Sequence, residues 1–312
     1  MKKIAIIIAG VFALIAALAV YPLFLADGGE NTPLAVTLEG VETEFTLSAP
    51  LPETNETSYP VYRTTVSAAT LESVEEVAGV FGMTGKAEVA NQRTGEVRVV
   101  DDSKGELMRL SMYPASGALL YEIPDRQFPD LVEERPSLPA RDEAIKIADA
   151  FLTERGERSP GAVVNAVEVD QRQEVWEAGG SEPEEVYDVT LAVRYGRALS
   201  GLPVYGDEMA VIIGDGGEVV GMVKCWREVE AAGEVEIIRA EEAYEDLKAG
   251  RTIRPLEVPG DARVSIEEIA LGYWMEPRTI EQETVVPVWV FSGTAYHDGS
   301  GESYQAYVKA VE

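Results

Sequence analysis

The chain has 312 residues, with 55 acidic against 26 basic side chains, a formal net charge of -29, one cysteine and one histidine. So negative a surface repels phosphate backbones, which excludes nucleic acid binding, and it gathers divalent cations nonspecifically and favours basic partners. A single cysteine excludes an intrachain disulfide, and one His with one Cys cannot supply a zinc tetrahedron or the imidazole-based triads of common hydrolases.

Lys2 and Lys3 precede an uncharged apolar run from Ile4 to Ala26, followed by Asp27 and Glu30. As a helix this run would span about 34 Å, enough to cross a bilayer with its N-terminus inside. The expectation is a membrane anchor or uncleaved signal over residues 1–27. It implies a cell membrane protein of single-pass topology with an extracytoplasmic, or extracellular, C-terminal domain. Ala17 and Ala19 form an A-x-A site, so cleavage after Ala19 is the competing reading. Residues 28–58, rich in Pro, Thr, Glu and Gly, read as an exposed linker with one short strand at Leu34 to Leu38. Asn55-Glu56-Thr57 in this linker is an N-glycosylation sequon.

Beyond the linker, VYRTTVS reads as a strand, and Leu71, Val74, Val77, Ala78 and Phe81 fall on one helical face that stops at Gly82. Strands KAEVANQ, EVRVVDD, ELMRLSMYP and GALLYEIP follow, separated by turn signals. A second helix places Ala144, Ile145, Ala148, Phe151 and Leu152 together and closes at Gly156. Four more strands follow, the last two, EMAVIIG and EVVGMVKCWREVE, joined across Asp215-Gly216-Gly217. A third helix, AEEAYEDLKAG, precedes RVSIEEIALGYWME, TVVPVWVFSG and SYQAYVKAVE. The class expected is α+β: an N-terminal transmembrane helix, then repeated units of one helix packed on an antiparallel β-meander. The domains expected are a first α+β domain over 59–135 and a second over 136–312 built of two helix-plus-sheet units.

The residues offer little chemistry. Cys225 alternates with apolar neighbours on a strand and reads as a buried thiol; His297 lies in the turn-like YHDGSGES. The acidic turns at Asp101–Glu106, Asp215–Glu218 and Asp298–Glu302 lack EF-hand spacing, and no nucleotide-binding glycine motif occurs. No catalytic, cofactor or metal residue is assigned, and the chain is read as a non-enzyme. Gly201, Pro203 and Gly206 shape a turn into a strand, and Pro287 belongs on an edge strand or bulge because it cannot donate to a central ladder. That places a candidate interaction edge at Pro287 and Trp289, where a partner could add a strand.

The run ALSGLPVYGDEMAVIIGDGGEVVGMVKCWREVE, with VEIIRAEEAYEDLKAG, IALGYWMEP and VVPVWVFSG, resembles the PepSY-related extracytoplasmic proteins, especially the YycI/YycH-type regulatory ectodomains, over roughly residues 140–312. The resemblance implies a PepSY-like first domain at 59–135, a YycI/YycH-like second domain, one membrane helix, and action by contact with a membrane sensor kinase or a peptidase. The function expected is a membrane-anchored exported interaction or regulatory module acting by protein contact, without catalysis. The alternatives are a structural cell-envelope protein or a carboxylate-based exported hydrolase, the latter requiring a cleft with two carboxyls about 5 to 10 Å apart.

Overall fold

The computed structural model describes residues 4–7, 43–54, 56–66, 69–130, 132, 134–177, 180–254, 258–259 and 261–311. The Leu34 to Leu38 strand and Asn55 therefore lie outside the described residues. The strands are β1 (Ile4–Ile7), β2 (Glu44–Leu47), β3 (Ser58–Thr65), β4 (Ala87–Asn91), β5 (Glu96–Asp101), β6 (Met108–Tyr113), β7 (Ala118–Glu122), β8 (Val163–Glu177) and β9 (Glu185–Gly196). They continue with β10 (Ala198–Leu199), β11 (Leu202–Tyr205), β12 (Glu208–Ile213), β13 (Val219–Cys225), β14 (Glu228–Glu236), β15 (Arg263–Trp274), β16 (Thr284–Val285), β17 (Pro287–His297) and β18 (Ser300–Lys309). The helices are α1 (Leu71–Val80), the short α2 (Pro124–Gln127), α3 (Arg141–Glu154) and α4 (Ala240–Lys248).

The chain divides into two compact units. The first holds Arg63–Glu230 and Met275–Thr284 together with β1; the second holds the described residues from 43 to 62, Ala231–Trp274 and the chain from Val285 onward.

The first unit is built on a nine-stranded sheet in the order β1-β8-β9-β12-β13-β7-β6-β5-β4. Helices α1 and α3 supply Val74, Ala78, Ala144, Ala148, Phe151 and Leu152 to one apolar core with Val97, Val99, Leu110, Val193, Val211 and Met222 from the strands. Thr70 caps α1, its hydroxyl accepting the Ser73 N–H while the Ser73 hydroxyl accepts the Thr70 N–H. In the second unit, β2, β15, β17 and β18 are consecutive neighbours, β2 running parallel to β15 and the others antiparallel. Ala240, Ala243 and Leu247 of α4 close a core with Val264, Ile266, Trp289, Phe291 and Val308.

Two expectations are corrected. Strands dominate, in large sheets, so the α+β class with repeated helix-plus-meander units does not hold. The reason lies in β7 (ALLYE) and β13 (VVGMVKC), which are apolar on both faces. Each would be an exposed apolar edge if its meander stood alone, and the two pair with each other, Gly221↔Glu122 through Lys224↔Leu119, fusing two meanders into one sheet. The transmembrane helix, and with it the single-pass, extracellular placement, is also overturned. Among the described residues no helix is long and apolar enough to cross a membrane, and Ile4–Ile7, the start of the expected span, form a strand paired with β8. Ile4, Ile6 and Ile7 are β-branched and favour extended backbone, which the pairing with β8 satisfies. Residues 8–26 of that run lie outside the described residues.

Candidate functional site

Alternation along β9 sends Leu191, Val193 and Tyr195 to one face of the sheet and Ala192 and Arg194 to the other, the face away from α1 and α3. On that second face Arg194 meets three carboxylates: its Nε donates to Glu168, and its terminal nitrogens lie 3.6 Å from Glu208 and 4.0 Å from Asp170. Burial pushes the carboxyls of Asp170 and Glu208 up, and the Arg194 charge pulls both back. One guanidinium shared by three acids offsets only part of their charge, which is why burial still leaves the Asp170 and Glu208 carboxyls raised.

Beyond the end of β9, just before β12, a second ion pair is buried outright. Arg197 Nε donates to Asp207 at 2.6 Å, with side-chain exposures of 6% and 1%, and its guanidinium lies over the Trp226 ring, 4.6 Å from the centroid. Arg197 also donates to the Arg227 carbonyl at 2.8 Å. Arg227 itself reaches the 276–280 segment, donating to the carbonyls of Glu276 at 2.5 Å, Pro277 at 3.1 Å and Ile280 at 2.6 Å. The β10–β11 hairpin carries Gly201 and Pro203, and Gly206 follows it. Gly206 has φ +83, and a Cβ there would sit 2.1 Å from the Met275 carbonyl oxygen, so only glycine permits this approach. Sequence reading joined Trp226 and Arg227 to the preceding strand and missed their role, whereas β13 ends at Cys225 and both residues follow it.

Cys225 is buried, and burial pushes its thiol up to about 11. Iodoacetamide at pH 8 should therefore leave Cys225 unmodified in the folded protein and alkylate it fully in urea; comparable labelling in both states would refute the buried thiol. His297 sits at the β17–β18 hairpin, its Nδ1 2.9 Å from Asp261 and its Nε2 3.3 Å from Asp298. Among the described residues no group of three or more His, Cys, Asp or Glu is placed to hold a metal ion.

Described residues that follow α2 border a cavity of about 180 Å³ that is open to solvent. Its walls are Pro129, Val132, Pro136, Val189 and Val220, and its polar groups are Asp125, Glu134, Asp215, Glu218 and Arg126. Asp215 accepts the Ser137 N–H at 2.6 Å, and the Gly216 N–H donates to the Ser137 carbonyl at 3.0 Å, which ties Ser137 to the β12–β13 turn. Arg126 bridges Glu106 at 2.6 Å and Glu218 at 2.5 Å.

In the second unit the predicted interaction edge is displaced by one strand. Pro287 and Trp289 lie on β17, which is paired on one side with β15 and on the other with β18. Pro287 is the first residue of that strand, where its missing N–H breaks no ladder bond, and its carbonyl accepts the Ala310 N–H at 3.0 Å. Trp289 is 1% exposed and donates from Nε1 to the Ile238 carbonyl at 3.0 Å. Both are interior residues, so the candidate edge at Pro287 and Trp289 is corrected to β18.

The register of β18 fixes which backbone groups face outward. The Tyr307 carbonyl takes an N–H from Ile253, outside the ladder, and Ala310 donates to Pro287, inside it. In an antiparallel pair this alternation turns the N–H and C=O of Gly301, Ser303 and Gln305 away from β17. Among the described residues no backbone group bonds to these three. By contrast, the outer edge of β4 is blunted by Glu75, whose carboxylate takes the Ala87 N–H at 3.0 Å and pairs with Lys86 at 2.9 Å.

No family model matches the chain, and no curated protein sequence matches it. Among solved structures it is similar to an uncharacterized protein from Eubacterium rectale ATCC 33656, with a TM-score of 0.43 and 12% identity over 82% of this chain and 84% of that one.

Proposed function

We propose that this chain is an interaction module that acts by protein contact, without catalysis, and that its partner adds an extended segment along β18. The observation that carries this reading is the outward-facing backbone of Gly301, Ser303 and Gln305 on a strand whose inner side is fully laddered to β17. Strand addition draws affinity from main-chain hydrogen bonds, and an edge with several consecutive unmet pairs provides them. A regulatory role, with a sensor kinase or peptidase as target class, belongs to the same reading through the YycI/YycH resemblance.

Proline substitution separates the edge from the fold. At Ser303 the N–H points outward, so Ser303→Pro removes one intermolecular donor and leaves the β17 ladder whole; its cost to stability should be within about 1 kcal/mol. At Tyr304 the N–H faces Gly293 and the ring is core, so Tyr304→Pro should unfold the sheet. A photocrosslinking residue at Gln305 should capture one defined partner in the native host, and Ser303→Pro should abolish that capture without moving the thermal midpoint by more than a few degrees. Capture that survives Ser303→Pro, or no reproducible partner, would overturn the reading.

A further inference from the structure

We infer that the cavity bordered by the residues following α2 receives the side chain of one arginine or lysine from a basic peptide. This rests on the first unit alone and does not require the β18 edge. The volume of about 180 Å³ falls well below the roughly 300 to 1,000 Å³ of small-molecule pockets, so the cavity suits one long side chain rather than a cofactor or a glycan. Its walls of proline and valine match the methylene stem of such a residue, and its carboxylates match the charged head. Four carboxylates stand there against one guanidinium.

That guanidinium, Arg126, is already held between Glu106 and Glu218, so the rim stabilises a cation of the kind proposed. Asp215 is engaged by the Ser137 N–H, whereas Asp125 and Glu134 pair with no side chain among the described residues and are free to meet an incoming cation. The net charge of -29 steers basic segments toward the protein and turns anions away.

The test is fluorescence anisotropy on the full chain with a labelled Gly-Ser peptide carrying a single arginine, set against the same peptide with neutral citrulline. The arginine peptide should bind and the citrulline peptide should bind at least tenfold more weakly. Asp125→Asn with Glu134→Gln removes two exposed charges and should weaken binding about tenfold, the loss of two partly screened ion pairs. Val132→Trp fills the cavity and leaves every charge in place, and it should weaken binding at least as much. Equal binding of the two peptides, or an unchanged affinity in either variant, would overturn the inference and reduce the effect to general attraction to an acidic surface. Because Ser303→Pro lies in the other unit, it should leave this binding untouched, so failure here and failure at β18 are read separately.

Discussion

Replacing Arg227 by alanine is expected to lower the thermal midpoint by on the order of 10 °C. The side chain is 1% exposed and makes its hydrogen bonds to the three carbonyls of Glu276, Pro277 and Ile280. Breaking a buried charged group out of such a set costs about 3 to 5 kcal/mol, and for a unit of this size each kcal/mol moves the midpoint by about 2 to 4 °C. Arg227→Lys should recover little, because a point ammonium lacks the planar fork that reaches several carbonyls at once. The damage should be local first: trypsin should cut after Arg278 faster in Arg227→Ala than in the parent protein. A midpoint and a cleavage rate both unchanged would show that the 275–284 segment is held by other contacts.

The second large effect is a pH dependence carried by Asp207. Burial pushes its carboxyl up to about 6, while Arg197 and Arg227 pull it down and Glu228 raises it further. An unfolded aspartate titrates near 4, so between about pH 4 and pH 6 the folded protein binds the proton that the unfolded chain releases. The contribution is therefore fully present below about pH 4 and is lost as pH rises through 6, because the fold must then ionise a carboxyl it keeps dry. Two pH units of displacement correspond to about 3 kcal/mol. Urea midpoints of the parent and Asp207→Asn, measured from pH 4 to 7.5, should show the parent losing stability relative to the variant across that window. A difference that stays flat would mean that Arg197 keeps Asp207 ionised throughout. Asp170 and Glu208 are raised by the same cause and act with the same sign.

Much of the local structure was legible because it depends on neighbours close in sequence. The apolar spacing of Val74, Ala78 and Phe81 and of Ala144, Ala148, Phe151 and Leu152 marked α1 and α3, and the same residues are buried in the core. Alternation and turn residues marked β4 to β7 and the β12–β13 hairpin, where Gly216 and Gly217 adopt positive φ. The candidate site was less legible. The three carboxylates around Arg194 lie on two strands, Glu168 and Asp170 on β8 and Glu208 on β12, and 55 acidic residues give no reason to single them out. The cavity joins the turn at Asp215 to the segment after α2 across roughly 80 residues of chain, a separation no local pattern spans.

The sequence by itself determined α1, α3 and α4, most of the strands beyond residue 58 and which of their faces would be apolar, together with the strongly acidic charge. Those are properties of side-chain period and charge, which each segment carries alone. Only the tertiary structure decided that β13 pairs with β7, that Pro287 opens an interior strand while β18 forms the edge, and that Arg227 holds residues 276–280. Each of these depends on which distant backbone supplies the missing hydrogen bonds, and an apolar strand records that it must be covered without recording by what.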